Sequence, residues 1–295
     1  MTREVSFDHR DPALRPFIEV EAKLARGALR EKGLSPAEIV AAVADAATSD
    51  AELGAKEMSE TIPATRRLLP VCQEGCAHCC HATVFASTPE LLRIAARVRS
   101  TRSAEELVAL RKKADETAAR VHDLDLDARA KAHVPCPLLD VASGKCTAYD
   151  VRPVSCRAYH SGDVAVCKKA FDDGEANPII PNNPVLFHVA HAYGFGMMTG
   201  CASDGLDVGP YDLAATLPAA LAGEGLEARW LAKEKVFEHT PLSDEARIGY
   251  EAVLEELVAD LNAGRLQDAE RVALKMDPDA RRRERNKKKR ERRQR

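Results

Sequence analysis

Apolar residues recur at helical spacing along most of the chain. Residues 12–32 read as an amphipathic helix that ends near Gly33. Ser35 opens a second one. Ser35 with Glu38 has the spacing of a capping box, and Pro36 stands at the first helical position, where its missing N–H costs nothing. This helix is expected to run to about Glu60, with Pro63 beyond it as a breaker. Thr88 as N-cap predicts a helix over Pro89–Arg99, again with Pro at the first position. Ser103 with Glu106 opens a long charged helix to about Leu124, its charges forming a solvated face. Further helices are expected at 185–199, 211–222, 244–263 and 266–275, the third ended by Gly264. Two stretches break the pattern. In CPLLDVASGKCTAY, short apolar runs flank Asp140 and Ser143-Gly144, which predicts a small hairpin within Pro135–Tyr149. Asp172–Pro184 is turn-rich. There is no internal repeat and no βαβ alternation. The expected fold class is mainly α: a helical protein with a small irregular cysteine-rich region containing a short β-hairpin.

Composition sharpens this picture. Of 295 residues, 45% are hydrophobic but only 4% aromatic, so the core must be built from Ala, Leu and Val, which favours helices. With few aromatic anchors, a metal crosslink would add useful stability. The start, MTREVSFDHR, is charged and has no apolar run behind it, unlike a secretory signal. No stretch approaches the roughly 18 consecutive apolar residues of a membrane span. A cytoplasmic protein without membrane contact is expected, and there thiols stay reduced. The odd count of nine cysteines also argues against a full disulfide set.

Eight of the nine cysteines fall between Cys72 and Cys167. Cys72, Cys76, Cys79 and Cys80 stand in CQEGCAHCC, and Cys136, Cys146, Cys156 and Cys167 follow. Short spacings let neighbouring thiolates converge on one ion with little loop-closure entropy, and Gly75 lets the backbone curl. Thiolate is the ligand that zinc and iron–sulfur clusters prefer. All eight are candidate metal ligands. The adjacent Cys79 and Cys80 could serve two metals, or two irons of one cluster, or one could ligate while the other stands behind it. Cys201 lies apart and reads as a core thiol. Four thiolates round zinc or a [4Fe–4S] cluster leave about −2 by formal count. Arg152 and Arg157, which flank Cys156, are candidates to offset that charge from behind the ligands. Lys168 and Lys169 read as surface charges. His78, His81 and His160 read as neighbours of the site, since eight thiols already fill two tetrahedral sites.

The run CQEGCAHCCH, then CPLL, then CTAYDVRPVSCRAYHS resembles the YkgJ-type cysteine-cluster family, the CxxCxxCC zinc- or iron-chelating domain. Cys146, Tyr149, Arg152, Pro153, Cys156 and Arg157 fit its last motif position by position, and Val84 and Glu90 resemble the stretch after its first. The first gap differs: three residues separate Cys72 from Cys76, where the family's name has two. The resemblance covers about Val71–Lys168 and implies a metal or iron–sulfur site without implying a reaction. Some relatives are associated with flagellin lysine methylation, but nothing here reads as a methyl-donor pocket.

The chain is accordingly expected to divide into N-terminal helices (1–62), a cysteine-cluster metal-binding region (63–170), a C-terminal helical part (171–276) and a disordered basic tail (277–295). Two functional readings stand. One is a metal-binding protein with a cysteine-ligated iron–sulfur centre, 4Fe-4S in type, a redox role and a redox partner. The other is a zinc-stapled interaction module without catalysis. The spacing Cys72-x3-Cys76-x2-Cys79 also matches radical-SAM enzymes, but charged helices follow it instead of repeated strands. Nothing resembles the H-E-x-x-H of hydrolytic zinc sites.

Charge is unevenly spread. The formal net charge is −3, yet residues 281–295 carry eleven Lys/Arg against two Glu, leaving −12 on the rest. Such a tail can contact RNA or another polyanion through phosphate neutralisation, without aromatic residues to read bases. Deleting Arg281–Arg295 is expected to abolish retention on a polyanionic resin at low salt. Unchanged retention would remove the tail from any such contact.

Overall fold

The computed structural model describes residues 7–60, 69–176, 178–238 and 244–266. Among them are eleven α-helices and two short antiparallel strand pairs, so the mainly helical expectation is borne out. Helix α1 (Arg15–Leu29) and α2 (Pro36–Glu60) lead into the cysteine-rich stretch. Strand β1 (Phe85–Ala86), α3 (Thr88–Thr101), α4 (Ala104–Val121) and α5 (Leu126–Ala132) follow. Then come the hairpin strands β2 (Leu139–Asp140) and β3 (Lys145–Cys146), with α6 (Val154–Ala158) and α7 (Val164–Asp173). The chain continues through α8 (Pro184–Ser203), β4 (Tyr211–Asp212), α9 (Leu213–Ala222), α10 (Leu226–Leu231) and α11 (Asp244–Asn262).

Local signals placed most helix starts. The Ser35 amide donates to Glu38 at 2.7 Å while the Glu38 amide donates back to the Ser35 hydroxyl, closing the capping box that opens α2. Ser103 and Glu106 do the same for α4. One cap moves by a residue: α3 is capped by Ser87, not Thr88. The reason is spacing, since Glu90 stands three positions after Ser87 and its carboxyl accepts from the Ser87 amide at 2.7 Å. The hairpin is present, with Leu139 opposite Cys146. The second pair, β1 with β4, was not expected, nor were the short helices α5, α6, α7 and α10. Pro63, the helix expected over 266–275 and the basic tail fall almost entirely outside the described residues.

Helix α8 is apolar nearly all round, as befits a helix enclosed by others. It packs against α1, α2, α6 and α11. Asn183 caps it, accepting from the Val185 amide at 3.0 Å. Its glycines set the approach of α1: a Cβ on Gly196 would stand 2.6 Å from the Ile18 carbonyl oxygen, and one on Gly200 2.5 Å from that of Ala22. Small residues thus replace aromatic bulk with backbone-to-backbone contact. Beside this seam lies Glu21, fully buried. Burial, then the neighbouring Asp50 carboxyl, raise its pKa to about 8, so it keeps its proton at neutral pH. The main core draws on α1 to α4 and α8 to α10, with Trp230 and Tyr211 as its largest fully buried side chains. Among the described residues no helix is long and apolar enough to cross a membrane.

Gly200→Val should lower stability by about 1–3 kcal/mol, because α1 cannot retreat without opening the core. Gly27→Ala, where an added Cβ meets nothing within 4 Å, should instead stabilise slightly. Urea midpoints of the two variants check the pair. A neutral Gly200→Val would show that the helices do not meet so closely.

Candidate metal centre

The eight cysteines lie on five stretches of chain. The first is a strap over 69–77 that leads into a 3-10 turn, His78–His81. Gly75 in the strap takes a φ of +91°, open to glycine and strained for other residues, as its place between Cys72 and Cys76 suggested. The strap lies on the β2–β3 hairpin at a second such glycine. Gly144 has φ +70°, and a Cβ there would sit 2.6 Å from the Gly75 carbonyl oxygen. An exposed ion pair, Lys145 to Glu74 at 3.1 Å, adds a weak tie.

Backbone hydrogen bonds fix the rest. The Cys136 amide donates to the Cys80 carbonyl at 2.8 Å, joining the 3-10 turn to the segment before the hairpin. The Val71 amide donates to the Ser161 carbonyl at 2.8 Å, and the Ser161 amide donates to Cys72 Sγ at 3.3 Å. Ser161 is buried and also holds Asp163, whose carboxylate caps α7 through the Ala165 amide. The strap and the helix bearing Cys167 are therefore pinned at one serine, which the sequence reading missed. Helix α6, bearing Cys156, hangs on Glu90. One carboxyl oxygen accepts from Ser87 and the other from the Val154 amide at 2.7 Å. Resemblance alone had flagged Glu90; the structure makes it the joint between α3 and α6.

The thiols are all free, and most lie within reach of one another's charge. Cys76 is held above its ordinary pKa by burial first, then by Cys79, Cys72 and Cys167. Cys156 is raised well above its ordinary value by burial, then by Cys136, Cys79 and Cys146. Burial pushes Cys136 up to about 11, opposed by Lys113 and Arg129. Cys79 is raised chiefly by its contact with the Cys80 thiol. Cys201 is fully buried in α8, remote from the cluster as expected. Among the described residues, no three His, Cys, Asp or Glu side chains already stand arranged to hold an ion. Closure round a metal therefore requires the thiols to turn inward from where they stand.

Arg152 is the cation common to three thiols: its charge partly offsets the rise that the Cys80 thiol gives Cys79 and that burial gives Cys146 and Cys156. It stacks 3.5 Å over the Tyr149 ring and donates to the Tyr149 carbonyl. Arg157 donates to the backbone carbonyls of Arg152 and Asp150, bracing the turn that presents Arg152. Lys168 and Lys169 pair with Asp172 and Asp173 one turn along their own helix. The histidines have other work. His160 is buried, and its Nε2 accepts from the Asn183 amide at 2.9 Å, which leaves Nδ1–H to donate to the Ala158 carbonyl. His78, His81 and His133 gather round the Phe171 ring.

Residues 71–175 match the model of a family described as CxxCxxCC, putative zinc- or iron-chelating domain. The match bears out the resemblance carried by the three cysteine motifs and spans every one of the eight clustered cysteines. No curated protein and no solved structure matches the chain.

Gly144→Ala should lift the strap off the hairpin, since the added carbon has no room and the backbone angle resists it. Faster alkylation of Cys72 and Cys76 in the metal-free protein would show this. Unaltered thiol reactivity would mean that the two glycine turns do not touch.

Proposed function

We propose that this protein binds zinc or iron through the thiolates of its cysteine cluster, Cys72, Cys76, Cys79, Cys80, Cys136, Cys146, Cys156 and Cys167. The observation that carries the reading is convergence. Thiols from five separate stretches lie within one another's electrostatic reach: Cys76 with Cys72, Cys79 and Cys167, and Cys156 with Cys136, Cys79 and Cys146. The donor set fits: it is all sulfur, which suits zinc or an iron–sulfur cluster and poorly suits magnesium or calcium. The nearest histidines are turned to backbone carbonyls and to Phe171. As an iron–sulfur centre, 4Fe-4S in type, the group would pass electrons to a redox partner, with Arg152 favouring the reduced form. As zinc it would staple an irregular segment whose strands are only two residues long, leaving function to the surfaces around it.

Metal analysis with an absorption spectrum of anaerobically purified protein decides between the forms. Broad absorption near ~400 nm with bound iron supports the cluster, and colourless protein with stoichiometric zinc supports the staple. A chain that carries and takes up neither metal overturns the proposal. The pH dependence has a definite sign. Ligand thiols must shed protons, so affinity should fall as pH drops. In the metal-free fold burial raises the pKa values of Cys76, Cys136, Cys146, Cys156 and Cys167, so the stability these thiols contribute is intact below the unfolded value of about 8.5. It is then lost as pH rises through the folded value, which for Cys136 is about 11. Thermal melts between pH 8 and pH 11, with and without metal, should therefore diverge, the metal-free form weakening alone.

A further inference from the structure

An open cleft of about 610 Å³, with no lining residue from the cysteine-rich region, lies where three helices end. Leu29 and Arg30 come from the end of α1, Asp204 and Leu206 from the end of α8, and Leu231 and Lys233 from the end of α10. The volume falls in the range of small-molecule sites, roughly 300–1,000 Å³. Helix ends draw cations to their last carbonyls, but these three ends are closed by backbone amides. The Arg30 amide donates to the Gly27 carbonyl at 3.1 Å, the Asp204 amide to that of Cys201 at 3.1 Å, and the Lys233 amide to that of Trp230 at 2.8 Å. The cationic side chains of the cleft are not needed as caps.

Lys233 is the residue that local structure does not explain. It stands two places beyond the last residue of α10 with φ +68°, a conformation that glycine takes without strain. Gly205 holds the same place after α8 and Gly264 after α11, with φ of +81° and +64°. His133, the other described non-glycine residue with positive φ, is tied by its ring to the Phe171 carbonyl at 2.6 Å. Lys233 has no such tie: among the described residues its ammonium makes no hydrogen bond or ion pair. Its stem lies over Gly205, with Nζ 3.4 Å from where a Cβ on that glycine would stand. A lysine in a glycine position thus sets a charge over the cleft at a cost to the fold. Asp204, the only acid among the lining residues, is already engaged. Arg30 donates to it at 2.9 Å, and Arg26 stands 3.9 Å away with its Nε buried and unpartnered. Three cations therefore meet one carboxylate. The rest of the wall is apolar, with Leu206 buried and Leu29 and Leu231 half-buried.

We propose that this cleft binds an aliphatic monocarboxylate, the Lys233 ammonium taking the carboxylate while Leu29, Leu206 and Leu231 cover the hydrocarbon. An ammonium–carboxylate contact flanked by apolar walls is stronger than one in open water. A more highly charged anion would set part of its charge against Asp204, whereas a monocarboxylate with an apolar body uses both halves of the site. The cleft and the cysteine cluster share no residue, so this inference stands apart from the metal reading.

The test titrates full-length protein, as purified, with octanoate in a calorimeter. Butanoate and octanamide serve as controls, since one lacks the hydrocarbon and the other the charge. The wild type should bind octanoate at a single site and both controls more weakly. Lys233→Met keeps the stem and removes the charge, so octanoate affinity should fall about tenfold or more with circular dichroism unchanged. Lys233→Gly should lose octanoate as well, yet unfold at a higher urea midpoint, because glycine takes the positive φ without strain. The proposal is overturned if octanoate does not bind, or if octanamide binds equally well. It is also overturned if Lys233→Met binds as the wild type does, the result that capture by the basic tail would give. A urea midpoint that does not rise in Lys233→Gly overturns it too, since lysine would then carry no strain in that place.

Discussion

At the junction of scaffold and cysteine cluster sits a single carboxyl group. Glu90 is buried, and both its oxygens are used, one by the amide and hydroxyl of Ser87 and the other by the amide of Val154. It thereby closes the first turn of α3 and satisfies the first N–H of α6, two positive helix ends that favour an acid between them. Hydrogen bonds to a charged group contribute on the order of 1.5–3 kcal/mol, and losing one leaves a buried donor unmatched. The place of Cys156 depends on this joint, as does the packing of α6 against α8. A neutral side chain of similar shape could fill the space without meeting both donors.

Around that joint the protein is made of small residues. Aromatic bulk is scarce, so helices gain contact by coming close. Gly196 and Gly200 of α8 let the backbone of α1 rest on them, and Ala22 and Ala25 face them. Such a seam gains dispersion energy over many short contacts, and one extra carbon is enough to disturb it. The cysteine end joins this packing in part: Cys136 and Cys146 rest against the main core, while the strap over 69–77 is ordered by glycine turns, single backbone hydrogen bonds and Ser161, each modest alone. A metal bond to several of its thiolates would outweigh all of them.

Much of this was legible in the chain. Ser35 with Glu38 and Ser103 with Glu106 announced two helices, because a capping box is a local device with fixed spacing. The hairpin could be read from Asp140, Ser143 and Gly144 for the same reason. Misplacing the α3 cap by one residue shows the limit: Ser87 and Thr88 are both good caps, and only the distance to Glu90 separates them. Strands β1 and β4 had no signal, since two residues show no period. Their pairing joins positions more than a hundred residues apart. The cysteines were found by type and crowding, but not all the cations that bear on them, since Lys113 and Arg129 lie well outside the motifs.

The pairing of Phe85 with Asp212 and of Ala86 with Tyr211 bears on how the cysteine segment could be moved. Its second strand lies beyond residue 175, and the acid that receives Arg129 lies on it. Cut at the limits of its motifs, the segment would keep every thiol yet present a bare strand edge and an arginine robbed of its counter-ion. Leu91 and Leu92, now wholly covered, sit on the helix that follows that strand. A graft of this unit onto another scaffold must therefore bring along strand β4, which lies outside the cysteine motifs.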